Sequence, residues 1–493
     1  MSCPLLYEVN TRCWLRGLSE RHGATITLAN VPEAEFAQWQ KLGFTHIWLM
    51  GVWTTGPRAR EKALQYPELR QAYDRALPGW READVAGSPY AIADYQVPPA
   101  LGGEAGLAEF RRQLRAQGLK LLLDFVPNHL GLDHAWVRER PELFVQSSEE
   151  AAGTFAQQVG GRVHWLALGK DPYFPPWTDT VQLDYRRSTT RAAMTELLES
   201  IAARCDGVRC DMAMLALSEV FARTWARFPI AAAPPDAEFW ASAIAAIKQA
   251  NPAFLFLAEA YWGLEPELQR LGFDYTYDKV LYDRLVARDA MGVQCHLRGL
   301  PAERLAAGAH FLENHDEPRV ASILSPAEHR AAALCILGLP GMRFLHDGQL
   351  GGARVKTPVQ LARCMAEEAQ ADIQNLYQQL LTTLPGTAVG QGRGTLCPPR
   401  AAWAGNTTAA NFVVVQWQTR APELDLVVVN LASHRSQCYA PLAVEQLAAH
   451  NWLMKDLLGQ ESYHRAGDDL QSQGLYLDIP AHGAQLFHFQ PVN

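Results

Sequence analysis

The sequence predicts an α/β protein: a (β/α)8 TIM barrel with a subdomain inserted after the third strand and a C-terminal all-β sandwich. Three observations predict it. Eight short apolar or aromatic runs alternate with helical patterns over residues 1–384. The connection after the third run is far longer than a usual βα link and lacks helical periodicity. Beyond residue 385 the helical patterning gives way to closely spaced β runs.

In chain order the runs are LLYEVNT (5–11), THIWLMGVW (45–53), LKLLLDFV (119–126), DGVRCDMA (206–213), FLFLAEAY (254–261), GFDYTYD (272–278), GAHFLENH (308–315) and GMRFLHD (341–347). Between them, GLAEFRRQLRAQG (106–118) sets Leu107, Phe110 and Leu114 on one helical face. TTRAAMTELLESIAARCD opens on a threonine cap with polar residues in its first turn. PPDAEFWASAIAAIKQA and SPAEHRAAALCILGL continue the alternation.

Two connections stand out: residues 54–101, rich in aromatic, proline and charged residues, and residues 130–185, where GRVHWLALG and YFPPWTDTVQLDY read as irregular β structure. The expected division is therefore a barrel of residues 1–129 and 186–384, an inserted subdomain of 130–185 and a sandwich of 385–493. The strands of the last read from NFVVVQWQT, DLVVVNLAS, GLYLDIP and AQLFHFQP.

A chain of 493 residues at 48% hydrophobic content buries a large core in two or three units. Its net charge of −8, with no basic run, argues against a nucleic-acid partner. No apolar stretch reaches bilayer-spanning length, and MSCPLLYEVNTRCWL lacks the layout of a signal peptide. The nine cysteines are scattered without C-x-x-C pairs and read as small buried hydrophobes in a reducing compartment, which predicts a cytoplasmic protein.

Within CDGVRCDMAML, Arg209 and Asp211 stand two residues apart and so share one face of a strand. A structural ion pair would explain them alone, but a barrel carries its chemistry at the C-terminal ends of its strands. Those ends hold Asp124, Asn128 and His129 after strand three, Arg209 and Asp211 at strand four, Glu259 at strand five, and His315 and Asp316 after strand seven. A core histidine or a helix-capping glutamate accounts for one such residue; it does not account for their convergence.

DFVPNH (124–129), GVRCDMAML (207–215), LAEAYW (257–262) and FLENHD (311–316) resemble, in order and spacing, the four sequence regions of the α-amylase family of glycoside hydrolases (family 13). The insertion resembles that family's B subdomain and the terminal β region its C domain. The resemblance implies Asp211 as nucleophile, Glu259 as acid/base, and Asp316 as the residue that binds sugar hydroxyls and distorts the ring. It implies that His129 and His315 contact the same sugar and that Tyr90, in GSPYAIADY, stacks on it.

Retaining cleavage needs a nucleophilic carboxylate and a protonated acid about 5–5.5 Å apart. Arg209 is expected to keep Asp211 ionised, and the apolar FLFLA setting to raise the Glu259 pKa. Trp53, Trp177 and Trp262 are the expected stacking platforms for outer sugars.

The chain also departs from the family. Met214 and Leu215 stand where many members have Lys-His, so no essential calcium is expected in the inserted subdomain. Arg319, in NHDEPR, is expected to pair with Asp84 at the mouth.

The expected activity is retaining hydrolysis of α-glucosidic bonds in malto-oligosaccharides or small α-glucosides through a covalent glycosyl-enzyme. The expected partner is an oligosaccharide or small α-glucoside, with no cofactor, no metal ligands and no membrane. Transfer or isomerisation uses the same intermediate, and the motifs do not distinguish water from sugar or phosphate as acceptor. A catalytically silent binding or scaffold barrel is the reading from another class; retention of Asp211, Glu259 and Asp316 argues against it. A metal-dependent barrel hydrolase lacks its H-x-H and H-E-x-x-H signatures here.

Overall fold

The computed structural model describes residues 2–228, 230 and 237–492. Eight parallel strands close into a barrel in sequential order: β1 (Leu5–Asn10), β2 (His46–Met50), β3 (Lys120–Phe125), β4 (Gly207–Cys210), β5 (Leu255–Ala258), β6 (Tyr275–Tyr277), β7 (Gly308–His310) and β8 (Met342–His346). Each strand lies inside its sequence run and is shorter than it. The surplus residues at the C-terminal ends lie past the assigned strands, and several polar groups of the motifs, Asp211, Glu259 and His315 among them, lie there, with Asp316 next after the seventh run. Side chains alternate across the wall. Leu6, Trp48, Leu122, Leu257, Tyr277 and Phe344 share the interior packing cluster.

Helices Gly103–Ala116, Ser188–Ala202, Phe239–Ala250 and Pro326–Gly338 fall on the helical patterns. The opening residues 234–236 of the third pattern lie outside the described residues. Ser325 and Glu328 form a reciprocal capping box at the start of the fourth helix, with proline in its first turn. That helix is buried from Ala331 to Gly338 because the C-terminal sheet covers its outer side. Trp417 Nε1 donates to the Gly338 carbonyl at 2.7 Å.

The connection after β2 carries two helices that the sequence reading did not assign, Pro57–Gln65 and Pro67–Ala76, each opened by a proline. The insertion after β3 is β-structured. His129–Gly131 pairs antiparallel with Thr180–Gln182, and a three-stranded sheet joins Gln146–Ser147, Arg162–Ala167 and Thr154–Val159. Past the barrel, a six-stranded antiparallel sheet faces the pair Ser436–Ala440 and Leu475–Ile479 over a core that includes Val428, Cys438, Leu477 and Phe487. Strands Arg393–Leu396, Asn451–Asp456 and Ser462–Ala466 were not legible in sequence, because each leaves polar residues exposed and none holds an apolar run longer than three residues.

Among the described residues no helix is long and apolar enough to cross a membrane. All nine cysteines are free thiols. Cys295 and Cys364 are exposed, against the expectation of burial, because both sit on surface stretches outside the apolar runs.

Candidate active site

The site is built around one guanidinium. The register sets Arg209 on β4 between Asp124 on β3 and Leu257 on β5. Arg209 is 0% exposed and boxed by aromatic rings, its Cζ 5.2 Å from the Trp48 and Tyr90 centroids and 5.8 Å from that of Tyr277. Nη1 donates to Asp211 Oδ1 at 2.8 Å, and Nη2 lies 2.7 Å from Glu259 Oε2. The second contact is an ion pair off the N–H direction, since Nη2 has no directed acceptor. A cation this deep survives only with such counter-charges and ring faces.

Asp211 and Glu259 follow the last residues of β4 and β5, and their backbone N–H groups extend the ladder to Phe125 O and Cys210 O. Burial, and then the charge of Glu259, push the Asp211 carboxyl up to about 7 against the pull of Arg209. The expectation that Arg209 keeps Asp211 ionised is corrected accordingly: desolvation of a fully enclosed carboxylate outweighs one adjacent cation that a second carboxylate shares.

Glu259 Oε2 accepts the Met212 N–H at 2.7 Å and Oε1 accepts the Tyr261 hydroxyl at 2.7 Å. Met212 adopts a left-handed conformation, φ 40°, in the turn that aims this N–H. For a non-glycine residue that costs about 1–3 kcal/mol and marks a turn held by its surroundings.

The opposite wall is a relay from β1 to β7. Glu8 accepts a hydrogen bond from His315 Nδ1, and His315 Nε2 lies 3.0 Å from Asp316 Oδ2 and 2.8 Å from the Tyr90 hydroxyl. Burial alone would lower the His315 pKa, but Asp316 and Glu8 hold it well above its ordinary value. In turn, burial would raise Asp316, and His315 holds it well below the carboxylate range. The Asp316 side chain is 48% exposed, the open carboxylate of the three. It lines, with His315, a cavity of about 490 Å³ bounded by Arg75, Lys356 and Gln360.

Asp124 accepts from Trp48 Nε1 and the Gly51 N–H, and burial pushes it up to about 6. His129 is buried against Trp177, with ring centroids 5.0 Å apart, and burial pushes it down to about 3, so it is neutral. Asn128 is occupied structurally, accepting from Gln182 Nε2. Among the described residues no group of three or more His, Cys, Asp or Glu side chains is disposed to hold a metal ion.

The fold thus brings Arg209, Asp211, Glu259, Tyr90, His315 and Asp316 into one network, with His129 on its inserted-subdomain side, against the Tyr90 backbone. Two expectations are corrected. Arg319 pairs with Glu313 at 2.6 Å, while Asp84 is gripped by Arg363 at 2.8 Å, a partner supplied by the loop after β8. Trp53 is fully buried, its Nε1 donating to the Asp124 carbonyl and Arg204 lying over its ring, so it is core and not a platform. Trp177 is half-buried against His129.

Trp262 is different: it is 40% exposed, at φ 65°, edge-on to Tyr173, itself 61% exposed. Sequence reading missed Glu8, Trp48, Tyr261 and Tyr277. Of these only Glu8, an acid inside an apolar strand, left a readable signal.

Residues 37–281 match the family described as alpha amylase, catalytic domain. The chain is 25% identical over 279 residues to the α-amylase MalA of Haloarcula japonica; the matched stretch is 55% of this chain and spans 37% of that relative's length. A maltogenic α-amylase, AmyB, from Thermotoga neapolitana superposes with a TM-score of 0.69 at 17% identity, covering 99% of both chains. An α-amylase from Lactobacillus plantarum does so at 0.67 and 21%, again over 99% of both. The trehalose-6-phosphate hydrolase of Bacillus licheniformis gives 0.66 and 12% over 99% of each chain. At these identities the superpositions show the shared fold.

Proposed function

Since the chain belongs to the α-amylase family of glycoside hydrolases, we propose that it is a retaining α-glycoside hydrolase acting on malto-oligosaccharides or small α-glucosides. The observation that carries the reading is the Arg209 fork, which holds Asp211 and Glu259 to a single guanidinium at 2.8 and 2.7 Å. Two carboxylates held on one guanidinium stand close together, which favours the short separation of double displacement over the wider gap of inverting enzymes.

Asp211 attacks the anomeric carbon as Glu259 gives its proton to the departing glycosidic oxygen, leaving a glycosyl ester on Asp211. Water then attacks that carbon, Glu259 takes the water's proton, and the Asp211 carboxylate is released with the α configuration retained. With Asp211 pushed up to about 7, a proton is held beside Glu259 near neutrality. Once that proton sits on Glu259, Arg209 at 2.8 Å favours the ionised nucleophile. Asp316 and His315, at the open cavity, receive the hydroxyls of the sugar being cleaved. The nine free thiols favour a reducing, cytoplasmic setting.

A second reading, transfer to an acceptor sugar, is favoured by one observation. Trp262, three residues past Glu259 in sequence, is exposed and stands edge-on to the exposed Tyr173 of the inserted subdomain. A sugar stacked there competes with water for the glycosyl-enzyme.

Proton NMR of maltotetraose turnover from the first minute tests both. Release of an α-anomer by the wild type, lost in Asp211→Asn and Glu259→Gln, supports hydrolysis with retention, and early longer oligomers support transfer. A β-anomer as first product would overturn the mechanism.

A further inference from the structure

Both oxygens of Glu259 are engaged in the free enzyme. Oε2 takes the Met212 N–H at 2.7 Å and lies 2.7 Å from Arg209 Nη2, while Oε1 takes the Tyr261 hydroxyl at 2.7 Å. These partners are not equivalent. An amide N–H and a guanidinium only donate, whereas a phenol donates to a carboxylate and also accepts from a carboxylic acid. Oε2 is therefore committed to the ionised form, and Oε1 is the one oxygen whose partner tolerates a proton on it.

The other charged and titratable groups facing Glu259 are Arg209 and Asp211 from β4 and Tyr277 from β6; Asp124 from β3, Tyr90 from the β2 connection and Asp316 from the β7 end face Asp211, Arg209 and Tyr261 in turn. Among the described residues, only Tyr261 bonds Oε1.

We propose that Tyr261 is a positioning residue that presents Glu259 Oε1 to the glycosidic oxygen and stabilises the carboxylate left when the proton departs. The proposal rests on the assignment of Glu259 as acid/base. In the first step the proton on Oε1 passes to the leaving oxygen, the C–O bond breaks, and the negative charge left on Glu259 is met by the Tyr261 O–H. In the second step Oε1 takes the proton from water, and the phenol turns from donor to acceptor.

Burial and the neighbouring Glu259 charge keep the phenol pKa well above its ordinary value, so it stays a protonated donor over the working range. A donor to the ionised form makes Glu259 a stronger acid, to the benefit of poor leaving groups.

The test is Tyr261→Phe, which keeps the ring and removes only the hydroxyl. With maltotetraose, the basic limb of kcat/KM against pH is expected to rise by about one unit. The rate at the wild-type optimum is expected to fall about tenfold. α-Maltosyl fluoride, whose leaving group needs little protonation, is expected to turn over unchanged. Replacing Tyr261 by 3-fluorotyrosine, a stronger donor, is expected to move the same limb down.

A basic limb that stays in place or falls in the phenylalanine variant, or equal losses on both substrates, would overturn the role. No turnover of either substrate by the wild type would instead remove the glycosidase reading beneath it.

Discussion

The ring of Tyr90 lies along that of His315, centroids 5.4 Å apart and planes 26° from parallel, with its hydroxyl 2.8 Å from the imidazole Nε2. The two residues come from connections after β2 and β7, and the imidazole is aimed from behind by Glu8 on β1. Three strands distant in sequence thus fix one ring edge beside Asp316.

Glu8→Gln removes the buried charge that, after Asp316, holds the His315 pKa up. The expected result is a fall in the His315 pKa, read from its imidazole proton shifts, with a loss in kcat/KM on the order of tenfold from the weakened anchoring of Asp316. An unchanged His315 titration would show that Glu8 does not act on it.

Arg209→Met leaves Asp211 and Glu259 buried without their cation. Breaking such a pair costs about 3–5 kcal/mol, so the urea midpoint should fall and turnover should vanish. Arg209→Lys keeps a charge but cannot span both carboxylates, and at least a hundredfold loss in kcat is expected. Near wild-type rates in the lysine variant would count against the fork.

Acid lability follows from four buried histidines. Burial pushes His46 and His129 down to about 3, and His134 and His329 to about 4. Each takes up a proton near pH 6.5 when unfolded and resists it when folded. Stability is therefore complete above about pH 6.5 and falls as pH drops toward the folded values, by up to about 1.4 kcal/mol per unit for each group. Urea titrations between pH 7.5 and 5 should show the decline. His329→Phe, which removes a ring with one unpartnered nitrogen, should flatten it. Constant midpoints over that range would contradict this.

Two tryptophans of similar standing in sequence should behave oppositely. Trp53→Ala empties a fully buried position and should cost about 3–5 kcal/mol. Trp262→Ala, at an exposed ring, should leave stability within about 0.5 kcal/mol and reduce oligosaccharide transfer products relative to hydrolysis. Matching stabilities for the two variants would refute the assignment of Trp53 to the core.

Much of the architecture was legible because its signals are local. Each barrel strand is a short apolar run, and the polar residues that end it interrupt that run at once, so Asp211, Glu259 and Asp316 announce both a strand end and a chemistry. Tyr261 gave no such sign. A tyrosine in an aromatic stretch reads as packing until its hydroxyl is seen on Glu259. The strands Asn451–Asp456 and Ser462–Ala466 were equally silent, since half-exposed strands blend with loops.

By itself, then, the sequence determined the eightfold strand–helix order, the inserted and terminal β regions, and which carboxylates stand at strand ends, all set by periodicity and composition over a few residues. The tertiary structure alone decided which charges meet and which carboxyl holds its proton. Asp84 pairs with Arg363 and not Arg319, Glu8 reaches His315, and Asp211 rather than Arg209 yields to burial. Desolvation and Coulomb energy depend on distance and enclosure in space, and barrel closure sets both between residues hundreds of positions apart.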